Sequence, residues 1–164
     1  MISEEALYET FVSVLGRIYP DLSFETEREP KPLVRIPSRK PEKVFLYISF
    51  DGGEISIFTP WWHTHCDGWA VVDDISSFPD DEHVRIIVTD ALNWIVLILS
   101  GQLQFKVKYD GRQVLSCEVL NTDRSSSVAT LSDNKAVNWL RRLFGPSRRT
   151  VIEKWPGPYH QRQA

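Results

Sequence analysis

Two short turn sequences constrain this chain more than any other feature. Asp51-Gly52-Gly53 and Asp110-Gly111 each stand between stretches whose apolar residues recur at every second position. Before the first turn Val44, Leu46, Ile48 and Phe50 alternate with Phe45, Tyr47 and Ser49, and after it Ile55 and Ile57 alternate with Glu54, Ser56 and Phe58. Before the second, Leu103, Phe105, Val107 and Tyr109 alternate with Gln104, Lys106 and Lys108, and a further strand is expected from Arg112 to Leu120. Glycine and aspartate tolerate the backbone angles of tight turns, so each unit predicts an antiparallel hairpin with one buried face.

Helical spacing fills the intervals. Leu7, Phe11, Val14, Leu15 and Ile18 lie on one stripe, with Ser3 available as a cap, Glu4 and Glu5 at the positive end, and Pro20 as a stop. Val84, Ile87, Val88, Ala91, Ile95, Ile98 and Leu99 keep the same period after Asp80-Asp81-Glu82, and Ser100-Gly101 ends the run. The stretch His83–Thr89 is β-branched enough to read also as a strand. A third helix is expected over Ala136, Val137, Leu140, Leu143 and Phe144, closed by Gly145-Pro146.

The prolines at 30, 32, 37 and 41 make 25–43 a loop rich in proline and charge, with room for an edge strand at Leu33 to Ile36. Ser125-Ser126-Ser127 reads as a solvated loop, Val151 to Trp155 as a short strand, and Pro156 onward as a loose tail. The expected fold is therefore α+β: an antiparallel sheet built from two hairpins and covered by about three helices, with residues 1–164 in a single domain.

Function classes narrow from what is missing. The longest apolar run, Trp94 to Leu99, is far below the roughly 20 residues a helical membrane span requires. The opening Met-Ile-Ser-Glu-Glu has no basic or apolar leader character, and Cys66 and Cys117 are the only cysteines, so a reducing, cytoplasmic setting is expected and a Cys66–Cys117 disulfide is not favoured. Neither Gly-x-Gly-x-x-Gly, nor a phosphate-binding Gly-x-x-x-x-Gly-Lys-Ser/Thr loop, nor a Gly-x-Ser-x-Gly elbow occurs.

Charge is segregated. Between Asp67 and Asp90 seven acids oppose only Arg85, and from Lys135 onward seven bases oppose only Glu153. The basic run, interleaved with Trp139, Phe144 and Trp155, is a weaker candidate for nucleic acid, because the remainder of the chain is acidic.

One segment stands apart. Trp61-Trp62-His63-Thr64-His65-Cys66-Asp67-Gly68-Trp69 holds three of the six tryptophans and two of the four histidines. Extended from Glu54 as a strand, it would place His63, His65 and Asp67 in one row and Cys66 on the other side. Beside a purely structural reading, in which the tryptophans are only core and the domain has no partner, two functional readings compete. In the first, Trp61, Trp62, His63, His65, Asp67 and Trp69 form the contact surface of a non-catalytic protein that needs no cofactor and binds a protein partner or a second copy of itself. In the second, His63, His65 and Asp67, completed by His83 or Cys66, hold a zinc ion in a small metal-dependent hydrolase. The string His63-Thr64-His65-Cys66-Asp67 is similar to the first half of the His-x-His-x-Asp-His pattern of metallo-β-lactamase-like hydrolases, but Gly68 stands where that pattern places its third histidine.

Over roughly residues 44 to 100, a hairpin followed by the segment carrying Trp62, His63, His65 and Asp67 and then a helix resembles small bacterial immunity-type proteins. That resemblance implies a protein that neutralises a toxin by direct contact. The acidic block suits a basic partner such as a nuclease toxin.

Overall fold

The computed structural model describes residues 2–38, 45–111, 113–121, 124–130 and 148–155. The expected third helix, much of the basic run and the tail from 156 lie outside them.

Helix α1 spans Glu4–Ile18 and is capped as its sequence requires: the Ser3 hydroxyl accepts the Ala6 N–H at 3.1 Å. It buries Leu7, Tyr8, Phe11 and Leu15, the stripe set by the helical period. Tyr8 and Phe11 both meet Phe50 edge-on, with ring centroids 5.5 Å apart.

The next five elements form one antiparallel meander in chain order: β1 (Glu25–Glu27), β2 (Leu33–Pro37), β3 (Phe45–Asp51), β4 (Glu54–Phe58) and β5 (His63–Cys66). The Asp51-Gly52-Gly53 turn behaves as expected, with Gly53 at φ 114° and the Asp51 carboxylate accepting the Gly52 N–H at 2.9 Å. The proline-rich segment corrects the sequence reading twice. It contains two strands, and Leu33–Pro37 is not an edge strand but pairs with β1 on one side and β3 on the other. The prolines permit this because Pro32 precedes the ladder and Pro37 ends it, so neither removes an interior donor.

After a short 3-10 turn at Ile75–Ser77, α2 runs over Asp80–Leu99, so the β-branched stretch within it is helical. Its period of 3.6 buries Val84, Ile87, Val88, Ala91, Leu92, Ile95, Ile98 and Leu99, a face that a strand period could not assemble. Among the described residues no helix is long and apolar enough to cross a membrane.

The second hairpin joins a separate sheet. Strands β6 (Leu103–Asp110), β7 (Gln113–Asn121), β8 (Arg124–Thr130) and β9 (Arg148–Lys154) stand in the order β8-β7-β6-β9. The expectation of a single sheet built from both hairpins is therefore corrected, although α+β architecture with antiparallel pairing holds. The reason is local: β5 occupies the free edge of β4 after only a four-residue turn, while the 20-residue α2 carries the chain away before β6 begins. Ser125-Ser126-Ser127 lie within β8 rather than in a loop. Buried residues from both sheets and both helices, Leu7 to Trp155, form one continuous core.

Candidate functional site: the outer face of the first sheet

Both helices pack on the face of the five-stranded sheet that carries Val34, Ile36, Leu46, Ile48, Phe50, Ile55 and Ile57. Among the described residues no helix covers the other face, and the Trp-His segment reaches it through a turn. Thr59 shapes that turn. Its hydroxyl accepts the Trp61 and Trp62 N–H groups at 3.3 and 2.9 Å and donates to the Trp62 carbonyl at 2.9 Å, while its own N–H donates to the same carbonyl at 2.7 Å. The segment thus folds back on β4 instead of extending it, with Phe58 opposite His63 and Ser56 opposite His65.

Alternation then sorts the segment. His63 and His65 are exposed on the outer face, rings 5.5 Å apart and nearly perpendicular, and Cys66 is fully buried on the opposite side, as the strand period dictates. Asp67 does not continue the histidine row: β5 ends at Cys66, and the Asp67 carboxylate accepts the Trp69 N–H at 3.1 Å. Trp69 is 56% exposed, whereas Trp62 is buried and Trp61 is half-buried. Trp62 lies 5.1 Å from Trp94 of α2 and 6.1 Å from Phe105 of β6, and Trp61 lies 5.4 Å from Phe105, all as ring centroids. These two indoles join the layers, Trp62 within the core and Trp61 packed against it. The contact set expected from sequence therefore divides: His63, His65, Asp67 and Trp69 are at the surface, and Trp61 and Trp62 are in or against the core.

Register assembles residues that sequence spacing did not connect. Glu25, Arg35, Tyr47, Phe58 and His63 are successive cross-strand partners, one from each of the five strands. Glu27, Leu33, Ser49, Ser56 and His65 form the adjacent row. Phe58 stacks on His63 at 5.8 Å, Arg35 lies 6.0 Å from the Tyr47 ring centre, and Phe45 is 5.9 Å from Tyr47. Tyr47 and Phe58 are among the few large hydrophobic side chains left exposed. Their outward positions on alternating strands were legible; their neighbours across the sheet were not, because register is set by turns and pairing.

The His65 ring is held from below. Its Nδ1 lies 3.0 Å from Glu54 Oε1 and 2.8 Å from Ser56 Oγ, which itself reaches Glu54 Oε1 at 3.3 Å. The arrangement is not a nucleophile relay, because serine and carboxylate meet the same ring nitrogen, whereas a relay needs them on opposite nitrogens. It orients the imidazole outward. Cys66 is no nucleophile either: burial, reinforced by Asp90, Asp67 and Glu54, raises its thiol far above the usual range. Cys117 is pushed up to about 11, mainly by burial, and both cysteines are free. For the zinc reading, Cys66 faces away from the two histidines and His83 sits in the first turns of α2. Among the described residues no three His, Cys, Asp or Glu side chains are grouped to hold a metal ion.

One acid of the acidic block is structural. Asp90 is 4% exposed on α2 and its carboxylate accepts the Gly68 N–H at 3.2 Å, tying the end of the segment to the helix. Burial raises its pKa, the Gly68 hydrogen bond lowers it, and nearby Asp67 raises it, with a net upward shift. A carboxyl whose folded-state pKa lies above its unfolded value stabilises the fold at acid pH and loses that contribution as pH rises through the folded value. Asp90→Asn keeps a carbonyl acceptor and removes the charge. Its stability relative to the parent chain should rise between pH 3 and pH 7 in urea titrations, and a constant difference would exclude the linkage. The other six acids of the block, Asp67, Asp73, Asp74, Asp80, Asp81 and Glu82, are exposed and lie between the end of β5 and the first turn of α2.

No protein-family model, curated protein or solved structure matches this chain.

Proposed function

We propose that the protein is a non-catalytic binding protein that engages a basic protein partner through the outer face of its first sheet. The observation that carries this reading is the five-strand row ending in Tyr47, Phe58 and His63, an aromatic strip on a face that, among the described residues, no helix covers. Aromatic side chains supply large contact area at small entropic cost and dominate interface energetics. Charge selects the partner. Arg35 is paired with Glu25 and Glu27, and Lys31 with Asp51, so the described cations of this face are already neutralised, while the exposed acids that follow β5 give the surface a negative character suited to a basic partner. Among the described residues a phosphate backbone would meet no unpaired cation there, and two copies face to face would oppose like charges. Neutralisation of a toxin, which the resemblance to immunity-type proteins implies, is one biological form of this proposal.

A photo-crosslinking residue at Tyr47 or at Phe58 is expected to trap one basic protein in cells, whereas the same residue at Thr89 on α2 traps none. With that partner purified, Phe58→Ala/His63→Ala should weaken binding at least about 30-fold, the scale of an interface hot spot at ~2 kcal/mol. Equal crosslinking from all three positions, or self-crosslinking alone, would sink the proposal.

A further inference from the structure

On the helical side of the molecule, away from the aromatic strip, α1 and α2 leave an open groove of about 590 Å3 lined by Glu9, Thr10, Ser13, Val14, Arg17 and Arg85. Thr10, Ser13, Val14 and Arg17 fall at i, i+3, i+4 and i+7, one stripe of α1, and Arg85 comes across from the second turn of α2. The state of the two arginines is the informative feature. Arg28 pairs with Glu5 and Glu9, Arg35 pairs with Glu25 and Glu27, and Arg149 lies 5.0 Å from the Tyr109 ring centre. Among the described residues, neither Arg17 nor Arg85 has an ionic partner. Asp81 stands four residues before Arg85, the spacing of a helical ion pair, yet the pair is not made.

We propose that this groove binds a small phosphomonoester bearing hydroxyl groups. Two guanidiniums supply a charge that matches the roughly −1.5 to −2 of a phosphate monoester near neutral pH, and their fork geometry suits its oxygens. The Ser13 and Thr10 hydroxyls add neutral donors, so no glycine-rich loop is required. Glu9, held loosely by Arg28 at 3.7 Å, can accept from hydroxyls of the ligand body and disfavours a bare anion. The volume lies within the range of small-molecule sites, but the groove is shallow, so affinity should be modest, with a Kd of about 0.1–1 mM.

Glucose 6-phosphate, inorganic phosphate and glucose, each titrated into the full chain and followed by amide NMR, test this directly. Glucose 6-phosphate should shift Thr10, Ser13, Arg17 and Arg85 saturably, inorganic phosphate should bind about tenfold more weakly, and glucose should not bind. Arg17→Gln and Arg85→Gln should each cost about tenfold in Kd without lowering the thermal midpoint, since both side chains are exposed. No saturable shift up to about 10 mM, identical shifts from sodium chloride, or undiminished binding in both variants overturns the proposal.

Discussion

Gly68→Ala is expected to cost about 3 kcal/mol or more in urea or guanidinium unfolding, a large loss for the addition of a single methyl group. Gly68 sits at φ 90°, where a side chain is strained, and a Cβ there would lie 2.3 Å from Ile75 Cδ1 and 2.9 Å from Ile86 Cγ2. Ile75 can swing its terminal methyl, but Ile86 carries the offending methyl on a branched carbon with little rotameric freedom. Any backbone shift that relieved the clash would also disturb the Gly68 N–H bond to Asp90. Gly101→Ala is the matched control: its φ is 76°, but nothing lies within 4 Å of the added Cβ. It should cost only the backbone term of about 1–2 kcal/mol. Equal losses in the two variants would show that packing around Gly68 is looser than the distances indicate.

Trp62→Ala should destabilise by about 3–5 kcal/mol, the usual cost of removing a large buried aromatic side chain. The indole is 6% exposed and touches rings from α2 and β6, so its loss opens a cavity where helix and second sheet meet. His63→Ala, one residue along, removes an exposed ring and should change stability by less than about 0.5 kcal/mol. Similar unfolding midpoints for the two variants would contradict the assignment of Trp62 to the core.

Elements governed by local rules were legible in the sequence. α1 could be read from Ser3 and its apolar stripe, α2 from Asp80 to Leu99, and both hairpins from their Asp-Gly turns. What could not be read depended on partners distant in sequence. Leu33–Pro37 became an interior strand because β1 supplied a second ladder, and the hairpins separated into two sheets because β5 took the edge that one sheet would have shared. At the site, alternation placed His63 and His65 together and Cys66 behind them. The expectation that Trp61 and Trp62 belong to a contact surface rested on composition, and composition does not separate the two places where tryptophan is common, interfaces and cores. Arg35, Tyr47 and Phe58 joined the histidines only through register.

The turn closed by Thr59 and the four-residue strand after it also set which changes the segment can absorb. A strand has period two, so gaining or losing one residue between Thr59 and His63 would exchange the two sides of β5, turning imidazoles inward and a thiol outward. The number of residues here is fixed by the core, while the identity of the outward side chains is constrained only by what they touch. A lineage of such proteins could therefore retarget its recognition surface by substitution at 58, 63 and 65, while a single-codon insertion in the same stretch would be lost with the fold.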